Sequence, residues 1–386
     1  MILAESISRL ETESAFEVLA RAAELERQGK EIVNLGIGQP DFKTPEHVVD
    51  AAIKALRDGH HGYTPANGVL PLREAVAADV AARRGVEIDP GNIIIMPGGK
   101  PTMFFAMMLF GEPGAEIMYP DPGFPIYRSM IRYTGATPVP IVLREENGFA
   151  FSAEEVLAGI TEKTRLIIVN SPGNPTGGAT PRAEIEKLVA GLMDHPQVAV
   201  LADEIYCRML YEGREHVSFL SYTEIRDRLI LLDGWSKTYA MTGWRLGWSY
   251  WPDGLVEKAT RLCVNAHSCV NAATQFAGIA ALEGPQDAVE EMMRAFDERR
   301  KVIVGRLNQL PGFTCLDPAG AFYAFPNVSG TGMDAKTLQK RFLEEAGVAT
   351  VAGPSFGVHA DDYIRFSYAN SVENIEEAIR RITSCL

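Results

Sequence analysis

Apolar residues recur at intervals of three and four over residues 11–29, where Phe16, Leu19, Ala20 and Ala23 share one helical face and Gly29 ends the run. Residues 31–35 read as a short strand leading into Gly36-Ile37-Gly38-Gln39-Pro40-Asp41. Pro45 opens a helix to about Leu56, and Pro71 opens another to Arg84. The pattern then changes to solid apolar runs of strand length, at 92–96, 115–119, 137–142, 165–170, 198–202 and 229–233. Helical periodicity fills most of the gaps, at 101–110, 123–134, 152–159 and 181–193. Strands that are apolar without alternation, separated by helices, predict a mostly parallel sheet covered on both faces. The expected fold is a three-layer, doubly wound α/β architecture.

Past residue 285 the rhythm changes. A long amphipathic helix over 285–309 precedes strand-like stretches at 313–316 and 321–325. A helix over 334–346, a strand over 362–368 and a final helix over 371–384 follow. This predicts a smaller α+β domain built from residues 1–45 and 285–386, beside a large domain over 46–284.

Length and charge narrow the picture. At about 150 residues per domain, 386 residues suggest two or three domains. The formal net charge of −13 argues against a nucleic-acid or anionic-membrane partner but leaves a small anionic ligand open. Cys207, Cys263, Cys269, Cys315 and Cys385 form no C-x-x-C pair and are odd in number, as expected of reduced thiols in a cytoplasmic protein. Glu5, Glu11 and Glu13 near the N-terminus break any signal-peptide pattern, and no apolar run reaches the ~18 residues of a membrane span. No metal-ligand set stands out.

Four motifs sit directly after apolar runs, where open α/β sheets bind ligands. The first is Ser236-Lys237-Thr238-Tyr239-Ala240-Met241-Thr242-Gly243-Trp244-Arg245. A desolvated lysine near a second cation is a nucleophile for Schiff-base formation, though two solvated basic residues on a loop give the same string. The second, Asn170-Ser171-Pro172-Gly173-Asn174-Pro175, forces a turn and offers the Asn174 amide to a polar ligand, or is simply a turn. The third is Asp203-Glu204-Ile205-Tyr206, whose aspartate either keeps a heterocyclic nitrogen protonated or caps the next turn. Tyr206 stands three residues on, where it can bond an oxygen of the same ring. In the fourth, Pro97-Gly98-Gly99-Lys100-Pro101, two glycines and a helix start suit a phosphate. The Walker spacing is absent, and Asp41 occupies the third glycine place of a dinucleotide fingerprint. Together these parts describe a pyridoxal phosphate pocket.

From Leu35-Gly36-Ile37-Gly38 to Arg365-Phe366-Ser367-Tyr368 the chain resembles the fold-type-I pyridoxal phosphate enzymes, specifically the class I/II aminotransferases of the aspartate aminotransferase type. The resemblance implies that Lys237 carries the Schiff base and moves the proton. It implies that Asp203 pairs with the ring nitrogen, and that Tyr206 and Asn174 bond the ring oxygen. Arg245, Ser236 and the Gly98-Gly99-Lys100 turn hold the phosphate, and Phe124 stacks on the ring unless it is a core aromatic. Arg365 forks onto the substrate α-carboxylate, and the Gly38 backbone approaches the substrate. Tyr63 reaches the phosphate of a neighbouring subunit, which implies a homodimer with shared sites. One departure is Gly234, where many members carry serine.

Lys100, where bacterial aspartate aminotransferases with the same Gly-Gly-Lys place it, faces a distal carboxylate; it is otherwise a solvated helix-start residue. The favoured reaction is transamination between an acidic amino acid and a 2-oxo acid such as 2-oxoglutarate. Aromatic, alanine, kynurenine or other donors, or a C–S β-lyase on the same scaffold, are the alternatives. A regulator's ligand domain needs a DNA-binding extension before the first helix, which is not expected here.

Overall fold

The computed structural model describes residues 1–12 and 14–386; Glu13, in the first turn of the helix expected over 11–29, lies outside the described residues. Within the range expected for that helix, the described helix is Ser14–Arg27. In chain order the strands are β1 (Val33–Asn34), β2 (Ile93–Met96), β3 (Glu116–Asp121), β4 (Thr137–Val142), β5 (Thr164–Asn170), β6 (Ala199–Asp203), β7 (Leu229–Gly234), β8 (Gly247–Tyr250), β9 (Tyr323–Ala324), β10 (Val348–Ala349), β11 (Val351–Ala352) and β12 (Ile364–Ser367).

The central sheet has the order β2-β8-β7-β6-β5-β3-β4. All neighbours run parallel except β8, which is antiparallel to both β2 and β7. Pleating divides each strand between two cores. Ile93, Ile95, Ile167, Val169, Leu229 and Leu231 enter one, and Ile94, Met96, Leu166, Ile168, Ile230 and Leu232 enter the other. Both faces are therefore dry, which is why these strands read as unbroken apolar runs. A third core gathers Val33, Leu35, Phe296, Ile303, Phe342, Ile364, Ile375 and Ile382, so both chain ends pack together. Tyr206, Met209 and Tyr211 also enter it from beyond β6.

Several features differ from the sequence reading. Residues 313–316 are not a strand: only Thr314 makes an isolated bridge, to Asn327. The Asn308 side chain takes up both the N–H (2.8 Å) and the carbonyl (3.0 Å) of Cys315, so the pairing does not extend beyond Thr314. Strand β8 is the opposite case. Its Gly-Trp-Ser-Tyr sequence has no apolar run, yet it is buried, with Ser249 Oγ accepting from Trp251 Nε1 at 2.7 Å. The helices Asp253–Ala266 and Ala272–Glu283 were likewise absent from the sequence reading. Among the described residues no helix is long and apolar enough to cross a membrane.

Candidate active site

Direction alone brings the chemistry to one edge. The last residues of β2, β3, β5, β6 and β7 (Met96, Asp121, Asn170, Asp203 and Gly234) end on the same side, because β8 reverses between β7 and β2. Met96 and Gly234 both pair with Gly247, the first residue of β8, so the lysine turn and the glycine turn are level there. The crossing is tight: a Cβ on Gly234 would stand 2.8 Å from the Gly247 Cα, which accounts for glycine at this position.

A cavity of about 270 Å³ opens at this edge. The short helix Trp235–Thr238 follows β7 directly and turns Lys237 into it. The Lys237 Nζ donates to the Gly38 carbonyl at 2.5 Å. Burial, then the positive charges of Arg365 and Arg245, bring its pKa down to about 8. Arg245 takes a left-handed backbone conformation (φ 55°) and donates to the Thr242 carbonyl at 2.7 Å and the Pro97 carbonyl at 3.3 Å. That lays its guanidinium across the turn at the start of the helix Lys100–Phe110. A Cβ on Gly98, itself at φ 86°, would come within 2.1 Å of Arg245 Nη2. The backbone there must be glycine for the arginine to lie down.

Asp203 is 3% exposed and ends β6. It accepts from the Tyr127 hydroxyl at 2.6 Å and from the Ile205 amide at 3.2 Å. Burial dominates and pushes its carboxyl up to about 6. Beside it the Tyr206 hydroxyl lies 2.8 Å from that of Tyr323. The Asn170 side chain braces the turn, donating to the Asp203 carbonyl and accepting from the Asn174 amide, each at 3.0 Å.

On the far wall, Arg365 from β12 is held from three directions. It donates to Asn174 Oδ1 (2.8 Å) and to the Gly36 carbonyl (2.6 Å). Tyr323 and Phe356 sandwich its guanidinium at 4.6 and 4.8 Å. Lys100 stands at another side, its Nζ 5.4 Å from the Phe124 ring centre and 5.6 Å from that of Phe16.

Of the residues singled out from sequence, Gly38, Gly99, Lys100, Phe124, Asn174, Asp203, Tyr206, Ser236, Lys237, Arg245 and Arg365 line this one cavity. Two do not. Gly98 spends its amide on the Met96 carbonyl (2.8 Å) and meets only the back of Arg245. Tyr63 is 94% exposed and outside the cavity of its own chain. Sequence reasoning missed Tyr323 and the apolar wall of Ala15, Phe16 and Leu19 from the N-terminal helix. It also missed Tyr127, for which a signal existed: Pro125 starts a helix, and Tyr127 lies one turn beyond Phe124.

The donors fit pyridoxal phosphate. A buried carboxylate suits a cationic ring nitrogen, a depressed lysine suits a carbonyl carbon, and an arginine over a helix start suits a phosphate. The described cavity groups carry more cationic than anionic side chains, as an anionic cofactor and substrate require.

The profile of the family described as aminotransferase class I and II matches residues 30–382. An aspartate aminotransferase of Pyrococcus horikoshii is 38% identical over 386 residues, covering 100% of this chain and 97% of that one. An aromatic-amino-acid aminotransferase of Thermococcus litoralis is 37% identical over 358 residues, 92% of each chain. The structure of Thermus thermophilus aspartate aminotransferase with maleate superposes with a TM-score of 0.95 at 33% identity, covering 100% of both chains.

Proposed function

The chain belongs to the class I and II aminotransferases and is a pyridoxal phosphate-dependent transaminase, and we propose that its amino donor is an acidic amino acid, aspartate foremost, with 2-oxoglutarate as acceptor. One observation carries the choice of donor: the cavity has two separate cationic poles, Arg365 between its aromatic plates and Lys100 beside Phe124. A dicarboxylate is the substrate that uses both.

The proposed roles follow from position. Arg365 takes the α-carboxylate by a planar, two-pronged grip, with Asn174 and the Gly36 carbonyl keeping the fork in plane. Arg245, Ser236 and the backbone of Gly99 and Lys100 hold the phosphate, and Phe124 covers one face of the ring. Asp203 holds a proton on the ring nitrogen, and Tyr206 and Asn174 bond the ring oxygen. Pyridoxal phosphate, when bound, supplies a carbonyl carbon that takes and returns the amino group and a ring that draws electrons from the substrate Cα. Lys237 carries the proton between the substrate Cα and the cofactor, for which a pKa brought down to about 8 leaves a usable fraction of free amine near neutral pH. The same groups act in reverse on the second substrate, giving ping-pong kinetics.

A second reading has its own observation. Phe16, Leu19, Ile37 and Met103 form an apolar wall near Lys100, which suits an aromatic donor once Lys100 swings aside. We further propose the division into domains 46–284 and 1–45 with 285–386, a cytoplasmic location, and a homodimer in which the exposed Tyr63 reaches the neighbouring phosphate. The test is a panel of donors against 2-oxoglutarate and pyruvate, run on wild type and Lys100→Ala. Aspartate turnover should fall at least tenfold more than phenylalanine or alanine turnover; equal losses would remove Lys100 from substrate choice. Pyruvate release from a cystathionine-type substrate at comparable rates would favour the β-lyase.

A further inference from the structure

We propose that Tyr127 is a positioning residue for catalysis, fixing the orientation and charge of Asp203 so that the acid holds its proton on the cofactor ring nitrogen. The proposal rests on the role given to Asp203 above.

Asp203 lies in a dry setting, between Leu201 and Leu232 in the core and the cavity in front. A carboxylate there needs donors or it gives up its charge. Two are present. The Ile205 amide is the long one, at 3.2 Å on Oδ1. The Tyr127 hydroxyl is the short one, at 2.6 Å on Oδ2, and both side chains are almost fully buried. Tyr127 is suited to donate permanently. Burial, reinforced by Asp203 itself, raises its phenol well above the ordinary range, so it stays protonated wherever the enzyme works.

Its place in the fold adds a second duty. Pro125 caps the helix Ile126–Thr134, and the Tyr127 amide bonds the Phe124 carbonyl at 3.1 Å. The two rings meet edge to face at 5.9 Å. One helical turn therefore sets both the aromatic that covers the ring and the donor that steers its acid. With the cofactor bound, Phe124 would pack against the ring while Tyr127 would hold the Asp203 carboxylate toward the ring nitrogen. A hydrogen bond to a charged, buried group is among the stronger ones, so its loss should be felt about tenfold or more in the step it serves.

The test uses the holoenzyme with Tyr127→Phe, Asp203→Asn and the double variant. Phe keeps the ring and removes only the hydroxyl. Expected for Tyr127→Phe is a kcat about tenfold lower, with KM for the amino donor within about twofold. The pH midpoint of the bound cofactor's visible absorbance should move upward, because a less firmly held ring proton leaves less positive charge near the Lys237 nitrogen. Adding Tyr127→Phe to Asp203→Asn should change either quantity by less than about twofold, since the group it acts through is gone. An unmoved midpoint, or the same fold-loss in the Asp203→Asn background, would show Tyr127 to be core packing only. Should Asp203→Asn itself leave midpoint and turnover unchanged, the role of Asp203 fails and Tyr127 with it; damage from Asp203→Asn alone sinks only the role of Tyr127. If Tyr127→Phe does not fold, 3-fluorotyrosine at position 127 keeps the shape and makes a stronger donor. It should then move the midpoint the opposite way, and no movement overturns the proposal.

Discussion

Replacing Lys237 by methionine should abolish transamination and yet stabilise the cofactor-free protein. The amine's pKa is brought from about 10.5 to about 8, first by burial and then by Arg365 and Arg245. At about 1.36 kcal/mol per pH unit, holding that charge costs the folded state about 3 kcal/mol, an upper bound because the cavity gives water some access to the side chain. Methionine has nearly the same shape and no charge. It forfeits the hydrogen bond to the Gly38 carbonyl, worth about 1 kcal/mol. The net gain is about 2 kcal/mol. Below pH 8 the amine is protonated in both the folded and unfolded chains, so the cost is complete. Between about 8 and 10.5 the unfolded chain holds its proton longer, and wild-type stability recovers as pH rises. The variant's advantage must therefore shrink across that window. Urea unfolding of both cofactor-free proteins at pH 7 and 9.5 reads the difference, and the pH dependence of Lys237 arylation reads the midpoint directly. A variant less stable than wild type at pH 7, an advantage that does not change with pH, or a labelling midpoint near 10.5 would refute the reasoning.

Three further outcomes are expected. Arg365→Lys keeps the charge but loses the fork and the aromatic sandwich, so KM for the amino donor should rise by at least tenfold with far less change in cofactor retention; steady-state kinetics and dialysis separate the two. Gly98→Ala forces a Cβ into the Arg245 guanidinium at a left-handed position, and should cost about 1–2 kcal/mol in stability and weaken pyridoxal phosphate binding measured by fluorescence titration. Asp121→Ala removes a fully buried carboxylate that accepts from the Val358 and His359 amides, both at 3.2 Å, and strands those donors. Thermal unfolding should show a loss of about 2–4 kcal/mol, and KM for the donor should rise because Phe356, in the adjacent loop, is one plate of the Arg365 sandwich.

The residues that could be read from sequence share a property: each follows an unbroken apolar strand on a contiguous motif. Lys237, Asp203 and Asn174 stand where a parallel sheet must end, and the string from Ser236 to Arg245 is self-contained. Arg365 was readable only by resemblance, because its partners Gly36, Asn174, Tyr323 and Phe356 come from four separate stretches of chain. Tyr323 had no local signal, since a tyrosine in a two-residue strand looks like any other buried aromatic. Strand β8 was invisible because its burial comes from lying between β2 and β7, not from its own composition. The supposed strand at 313–316 failed for the complementary reason, as the Asn308 side chain removed the hydrogen-bonding groups that apolar periodicity cannot see.

The reversal of β8 also divides the molecule into a side that cannot change length and a side that can. Seven residues, 238–244, connect Lys237 to Arg245 and return the chain to the sheet. In the roles proposed for Lys237 and Arg245 they would set the spacing between the Schiff-base lysine and the phosphate-binding arginine, and one residue more or less would misplace both ends. At the opposite edge the chain enters its strands through exposed turns at Glu112–Gly114 and Thr161–Lys163, and no cavity residue comes from them. Tethers, inserted peptides or new chain ends belong there, where added length is absorbed by solvent and the catalytic spacing is untouched.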